Sequence, residues 1–302
     1  MKNFWTALFF TCLPLALLGQ RAVYDSLVVK AKAAFEQKDF AGAGKTYLDA
    51  FKALGDKGFS DDRFNAAKAL AVAEMPDSAF ANLFRLAEKT DFLEYDKVVE
   101  EPMFEPLKGF PLWETLTNFL RPTMPELVDT LRRIYDLDQS NRKKHRSTGA
   151  QYGYESAEHR NLWKEINRLD SINQLYVFAL VDKYGWLGKK EVGAKGNKTI
   201  FLVVQHADQA AQEKYLPLMR AAANQGKANK SDLAMLEDRV LLKQGKKQLY
   251  GTQKLLSYTT GETTYQPIED IDHLNKRRAE MNLYPFDEAT VNAIKEQQNQ
   301  KE

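Results

Sequence analysis

The alternation of apolar and polar residues between 22 and 120 predicts a series of short paired helices. At helical spacing, a first apolar stripe contains Tyr24, Leu27, Ala31, Ala34 and Phe35. After a turn at 38–40, a second stripe contains Ala43, Tyr47, Ala50 and Phe51. Small residues allow paired helices to approach closely, and aromatic rings fill the space between pairs. Residues 22–120 are therefore predicted to form an array of helical hairpins.

The order of small and aromatic residues in this array resembles the tetratricopeptide repeat, with Lys38 where that family usually has glycine. A weaker copy covers Phe64 to Lys89, in which Ala79 is equivalent to Ala43, 36 residues earlier. The period of that family is about 34 residues. The resemblance implies a concave surface that binds a protein partner. The alternative is a structural cap on the domain that follows.

Pro122 and Pro125 mark the start of a second domain, predicted at 122–302. The apolar stripe of its first helix ends in Asp138 and Arg142, four residues apart. This spacing predicts an ion pair at the edge of the core.

The next helix has polar residues within its apolar face. Its stripe contains Trp163, Ile166, Asp170, Asn173, Val177, Leu180 and Tyr184. Asp170 and Asn173 are therefore expected to be buried together with apolar neighbours.

The connections are predicted from glycine, proline and charge. Residues 143–158 begin with a basic run and are predicted to be a loop, whose cations either bind an anion or are simply solvated. Gly193 to Lys198 is predicted to be a connection, and Pro217 to start a new helix. Leu255 to Ile268 is predicted to be a β-hairpin around Thr260-Gly261-Glu262.

The apolar run Thr199–Val204 leads directly into Gln205-His206-Ala207-Asp208. β-Branched residues in this run favour a strand, whereas the sequence around it favours a helix, and we choose the helix. In a helix His206 shares its face with Leu202, and Asp208 points elsewhere; in a strand both polar side chains would project to one side. The fold class is predicted to be mainly α: a tetratricopeptide-like helical-hairpin array, then a helical domain with a small β-hairpin.

Residues 1–19 are predicted to be a signal peptide. Lys2 precedes an apolar stretch from Phe4 to Leu18, which is shorter than the ~20 residues of a membrane-spanning helix. A retained membrane anchor is the alternative. The single cysteine, Cys12, lies within this segment, so the mature protein would contain no disulfide. We expect export to the periplasm or cell surface of a Gram-negative bacterium.

The formal net charge is +2, and it becomes +1 once Lys2 is removed with the signal peptide. A near-neutral chain gives no overall electrostatic case for nucleic acid or an acidic membrane. We therefore expect neither as a partner after signal cleavage.

Several short polar pieces between 126 and 286 resemble, in their order, an uncharacterised bacterial family of exported Gram-negative proteins, known only as a domain of unknown function. The pieces are Asp138-Gln139 with Arg142, Asp170 with Asn173, Gln205-His206-Ala207-Asp208, Asp238-Arg239-Val240, Tyr250-Gly251-Thr252-Gln253, and Arg277-Arg278. The resemblance implies a shared site but no known activity.

The polar residues near His206 allow two hypotheses. In the first, the protein is a hydrolase in which His206 is the general acid or base and Asp138, Asp170 or Asp238 orients it. No catalytic serine elbow and no His-Glu-x-x-His metal motif is found. In the second, favoured hypothesis, the residues bind a small molecule or envelope fragment, or only satisfy one another. The ligand-binding candidates are Asp138, Arg142, Asn173, Gln205, Asp208, Arg239, Tyr250, Gln253 and Arg278. No metal and no cofactor are expected.

Overall fold

The computed structural model describes residues 13–90, 92–256 and 263–299. Over these residues the fold is mainly α with a small antiparallel β-hairpin, as predicted. Most of the predicted signal peptide, including Cys12, lies outside the described residues. Within them, none of the helices combines the length and the apolar character that crossing a bilayer requires.

The chain divides into two compact units, Met1–Arg121 and Pro122–Glu302. Over its described residues, the first unit contains six α-helices and one 3-10 helix, Pro102–Leu107. The α-helices are α1 (Leu13–Glu36), α2 (Phe40–Ala53), α3 (Ser60–Val72), α4 (Pro76–Lys89), α5 (Tyr95–Val99) and α6 (Pro111–Leu120).

Two helical hairpins, α1–α2 and α3–α4, repeat with a spacing of 36 residues in the first unit. Ala43 and Ala79 are both fully buried at equivalent positions. The turns contain Lys38 and Glu74, also 36 residues apart, with φ of 62° and 57°. Glycine favours this left-handed conformation, so both turns carry some strain. The hydrogen bond from Tyr24 to Asp62, at 2.7 Å, joins the hairpins inside the core.

The second unit contains seven α-helices among the described residues, and the strands β1 (Lys254–Leu256) and β2 (Thr263–Tyr265). The helices are α7 (Pro125–Tyr152), α8 (Ala157–Tyr184), α9 (Lys189–His206), α10 (Gln209–Asn224), α11 (Lys230–Lys243), α12 (Leu274–Glu280) and α13 (Glu288–Asn299). Strands β1 and β2 pair antiparallel as predicted, with Lys254 opposite Tyr265. The predicted turn at 260–262 lies outside the described residues.

The prediction of a loop at 143–158 is wrong, because α7 continues to Tyr152 and α8 begins at Ala157. The facing surfaces of the two helices contain rings instead of aliphatic side chains. The ring of His145 lies 4.4 Å from that of His159 and 4.8 Å from that of Trp163. A stripe of this kind has little hydrophobic periodicity in the sequence.

Helix α9 includes both the predicted connection at 193–198 and the apolar run Thr199–Val204. Gly193, with φ of 74°, introduces a kink, and helical structure resumes after it, so the predicted connection from Gly193 to Lys198 is wrong. The Asn197 amide is buried and donates to the main-chain oxygens of Leu187 and Lys227. The choice of a helix for Thr199–Val204 is confirmed.

Helix α10 runs through Pro217 without a break, so the predicted new start at this proline is wrong. Asp208 caps α10 instead: its Oδ1 accepts from the main-chain nitrogen of Ala211 at 2.8 Å. The chain therefore changes direction between His206 and Asp208, shortly after the apolar run Thr199–Val204.

Candidate functional site

The candidate site lies where helices α7 and α9 run side by side. Thr199 Oγ1 donates to the main-chain oxygen of Leu131 at 3.0 Å. Two turns further along each helix, Nδ1 of His206 lies 3.0 Å from Oδ1 of Asp138. The Asp138 side chain is 4% exposed and that of His206 is 20% exposed. A buried carboxylate therefore holds one nitrogen of an imidazole that reaches the solvent.

Asp138 has two further partners. Its Oδ2 accepts from Gln139 at 2.7 Å, and its Oδ1 lies 3.4 Å from Nη2 of Arg142. Burial by itself would raise the pKa of Asp138. The hydrogen bond and charge of His206, together with the charge of Arg142, outweigh burial and hold this pKa below its ordinary value. Asp138 is therefore ionised at neutral pH.

Arg142 joins Asp138 to a second carboxylate. Its Nη2 donates to Oδ2 of Asp170 at 2.5 Å, so the predicted Asp138–Arg142 pair is extended to the neighbouring helix α8. The Nε of Arg142 is buried and has no hydrogen-bond partner among the described residues. Asp170, Arg142, Asp138 and His206 thus form a continuous chain of ionisable groups across three helices.

Arg239, on α11, adds a largely buried cation beside this chain. It donates to the main-chain oxygen of Gln205 at 2.9 Å and to Oε1 of Gln253 at 3.2 Å. Over the described parts of the chain, no carboxylate pairs with this guanidinium. Burial, and then the charge of Arg142, lower the pKa of Arg239 below its ordinary value.

Lys243 lies one turn beyond Arg239 and was not among the sequence candidates. Its Nζ is 3.4 Å from the main-chain oxygen of Ala207. Burial, followed by the charge of Arg239, lowers its pKa, and Asp208 opposes this shift. The four-residue spacing of Arg239 and Lys243 on one helix was the signal available in the sequence.

Gln205 is 2% exposed. Its main-chain oxygen accepts from Arg239 and from Gln212, which also bonds the oxygen of Ala207. Both polar atoms of the Gln205 side-chain amide are buried and have no partner within 13–90, 92–256 and 263–299. Gln212, which sequence analysis missed, therefore stabilises the turn between α9 and α10.

Asp238 belongs to a different group of contacts from His206. Its carboxylate accepts from the main-chain nitrogens of Leu249, Tyr250 and Thr252 at 2.7, 3.0 and 2.9 Å. It also accepts from the Thr252 hydroxyl at 2.9 Å. Burial raises the pKa of Asp238, whereas these hydrogen bonds act to lower it. All of these hydrogen bonds join Asp238 to residues 249–252, so this carboxylate positions that loop.

The remaining candidates lie around that loop or apart from it. The Tyr250 hydroxyl donates to Glu237 at 2.9 Å, and burial raises the pKa of this tyrosine. Arg278 donates to the main-chain oxygens of Tyr250 and Tyr284. Asn173 is buried in α8. The structure thus brings together Asp138, Arg142, Asp170, Gln205, His206, Arg239 and Gln253, and places Asp238, Tyr250 and Arg278 in a neighbouring cluster.

No group of three or more histidine, cysteine, aspartate or glutamate residues that could hold a metal ion occurs in the described part of the chain.

A family model described as a family of unknown function, DUF6624, matches residues 125–297, more than half of the chain. The match covers α7 to α12 and nearly all of α13, and it contains every candidate residue named above. No curated protein and no solved structure matches the chain. The family comparison does not confirm the tetratricopeptide resemblance of residues 22–120.

Proposed function

The chain belongs to the DUF6624 family, whose function is unknown, and we propose that its helical domain binds a small anionic ligand beside His206. The observation that carries the proposal is Arg239, a largely buried guanidinium without a carboxylate partner among the described residues. A buried, unpaired charge costs several kcal/mol. An anion that binds here would remove that cost and gain the charge-assisted hydrogen bonds that guanidinium groups form with carboxylates and phosphates.

The neighbouring groups fit the same ligand chemistry. Asp138 engages Nδ1 of His206, which leaves the second ring nitrogen for a ligand. Asp170 holds Arg142 in place, and the buried Nε of Arg142 is an additional donor without a partner in the described residues. The charges of Arg142 and Arg239 interact with each other, and Asp138 bonds both Arg142 and His206. We infer that an anion would sit among these groups.

Substitution of Arg239 separates ligand binding from a purely structural role. We expect Arg239→Gln to reduce affinity for an anionic ligand at least about tenfold, since one charge-assisted contact of 1.5–3 kcal/mol is lost. The free protein should keep its stability, because the variant also removes an unpaired buried charge. Calorimetric titration with a panel of small carboxylates and phosphates measures the first quantity, and urea unfolding measures the second. Arg133→Gln, on the exposed face of α7, is the matched control.

The result against the proposal would be an Arg239→Gln protein that loses 3–5 kcal/mol of stability while no anion binds the unchanged protein. Such a loss is typical of a broken structural network. It would assign Arg239 to helix packing alone.

A second candidate function, hydrolysis with His206 as general base, is favoured by the 3.0 Å contact between Asp138 and His206. A carboxylate on one ring nitrogen fixes the tautomer and leaves the other nitrogen to accept a proton from water. The test is hydrolysis of envelope fragments by the unchanged protein and by His206→Ala. A folded, fully active His206→Ala protein would exclude this candidate.

The cellular setting is part of the proposal. We propose that the protein is exported through residues 1–19 to the periplasm or cell surface, and that residues 22–120 form tetratricopeptide-like repeats that bind a protein partner. The repeated hairpins, with Ala43 and Ala79 buried at equivalent positions, support the second point. Fractionation of cells measures export. Loss of a pulled-down partner on deletion of 22–120, with residues 122–302 still folded, tests the repeats.

A further inference from the structure

The outer part of the α7–α8 hairpin, residues 143–169, extends beyond the His206 site, and we call it the arm. Helix α9 ends at His206, beside Asp138, whereas α7 continues to Tyr152. At 1.5 Å per residue this extension is about 21 Å long. Residues 143–152 and 157–169 lie beyond Arg142 and Asp170 along the hairpin. Their side chains contact other residues of the same hairpin.

Helical geometry separates the charges of the arm onto two faces. The inner stripe is fixed by His145 on α7 and by His159 and Trp163 on α8, whose rings are in contact. Relative to this stripe, a rotation of 100° per residue turns four cations towards the same side of the hairpin. These residues, the basic face, are Lys143, Arg146, Arg160 and Lys164. The acidic residues Glu158 and Glu165 turn to the opposite side.

Contacts nearer the other helices of the domain agree with this assignment of faces. Asp136, seven residues before Lys143 and on the same face of α7, pairs with Lys195 of α9 at 3.2 Å. Asp182 lies eighteen residues after Lys164, which is five full turns, and is therefore on the same face of α8. It pairs with Lys214 of α10 at 2.9 Å. Helices α9 and α10 therefore cover one side of the hairpin, and the basic face is the uncovered continuation of that side.

The cations of the basic face are exposed and not neutralised. Over the described residues no carboxylate pairs with Lys143, Arg146, Arg160 or Lys164; Arg160 donates to the main-chain oxygen of Glu155. On the opposite side, by contrast, Glu165 is paired with Arg168 at 2.8 Å. The basic face thus presents four free positive charges.

Two pairs of cations on two helices define the size of the partner. Packed helices lie about 8–10 Å apart, so the α7 pair and the α8 pair form two rows at roughly that separation. A chain with repeated anionic groups can place a separate group against each row. The face therefore fits a polyanion.

We propose that the basic face of the arm binds a linear acidic polysaccharide. Sites for single-stranded nucleic acid combine cations with aromatic side chains on which bases stack. The exposed aromatic side chains of the arm, Tyr152 and Trp163, lie on the inner stripe and not beside the cations, and the Trp163 ring already contacts His145 and Arg142. The positions beside the cations, Ala150 and Asn167, offer no such platform. The surface is separate from the anion site at Arg239, and it neither needs nor excludes a ligand there.

The test compares two double variants of the full-length protein. Lys143→Gln with Arg146→Gln removes half of the basic face. Arg133→Gln with Lys144→Gln removes one arginine and one lysine from the opposite side of the same helix. Binding to a labelled oligogalacturonate, a linear chain of carboxylated sugars, is followed by fluorescence anisotropy at several salt concentrations. A neutral maltodextrin and an oligothymidylate are the comparison ligands.

We expect the unchanged protein and the Arg133/Lys144 variant to bind oligogalacturonate equally. The Lys143/Arg146 variant should bind at least about tenfold more weakly, and the slope of log affinity against log salt should fall by about two units, one for each lost contact. Both variants should unfold at the same urea concentration, because all four side chains are exposed. Equal losses in the two variants, or no binding to oligogalacturonate, would overturn the proposal. Tighter binding of oligothymidylate with the same loss at Lys143 and Arg146 would reassign the face to nucleic acid.

Discussion

Replacement of Asp238 by asparagine tests whether this carboxylate serves the loop at 249–252. Asp238 is fully buried, and its four hydrogen-bond partners are all donors. Asparagine has the same shape but turns one oxygen into an NH₂ group, which faces two of these donors. Each lost bond to a charged acceptor contributes about 1.5–3 kcal/mol, so Asp238→Asn should cost roughly 3–6 kcal/mol. Whole domains are stable by only about 5–15 kcal/mol.

Asp208→Asn is the matched control. Asp208 accepts one main-chain bond at the start of α10, and asparagine is an equally good helix cap. Urea unfolding should therefore show almost no change for Asp208→Asn and a large loss for Asp238→Asn. Hydrogen exchange should accelerate at the amides of Leu249, Tyr250 and Thr252 in the second variant only. Unchanged protection of these amides in Asp238→Asn would refute the assignment of this carboxylate to the loop.

Two further predictions concern the α7–α8 hairpin. Burial and the charge of His159 lower the pKa of His145 below its ordinary 6.5, so the unfolded chain binds the proton more readily. Thermal stability should therefore decrease as the pH falls below about 6.5, and His145→Gln should weaken this dependence; a pH-independent melting temperature would contradict it. A Cβ at Gly149 would collide with the Tyr154 ring, so Gly149→Ala should cost about 1–3 kcal/mol in urea unfolding, whereas Gly109→Ala, where nothing lies within 4 Å, should be neutral.

Part of the candidate site could be predicted from polar residues placed within apolar stripes. Asp138 and Arg142 continue the stripe of α7, and Asp170 lies within that of α8, so helical periodicity alone brings their charges towards the core. The pairing of Asp138 with His206 is harder to predict from the sequence. It depended on α9 being a helix that runs beside α7, and on a register that aligns position 131 with position 199.

The role of Asp238 could not be predicted in the same way. Its partners are main-chain N–H groups, and every residue type except proline supplies one, so no side chain in the sequence identifies them. The arm was mispredicted for a related reason. The helices there face each other with rings at His145, His159 and Trp163. Trp163 is included in a predicted apolar stripe, but histidine carries little weight in hydrophobic periodicity, so the two histidines are not.

The charges of the arm also explain why net charge is a weak guide to partners. The whole chain carries 43 basic and 41 acidic residues, which suggests no preference for polyanions. That argument assumes that the two signs are mixed over the surface. Along residues 143–165 helical geometry places four unpaired cations on one side, and two glutamates together with Lys144 on the other. Because interactions between exposed charges decay over about 8–10 Å at ordinary salt, a polyanion on the basic face would respond to those four cations far more than to acidic residues elsewhere.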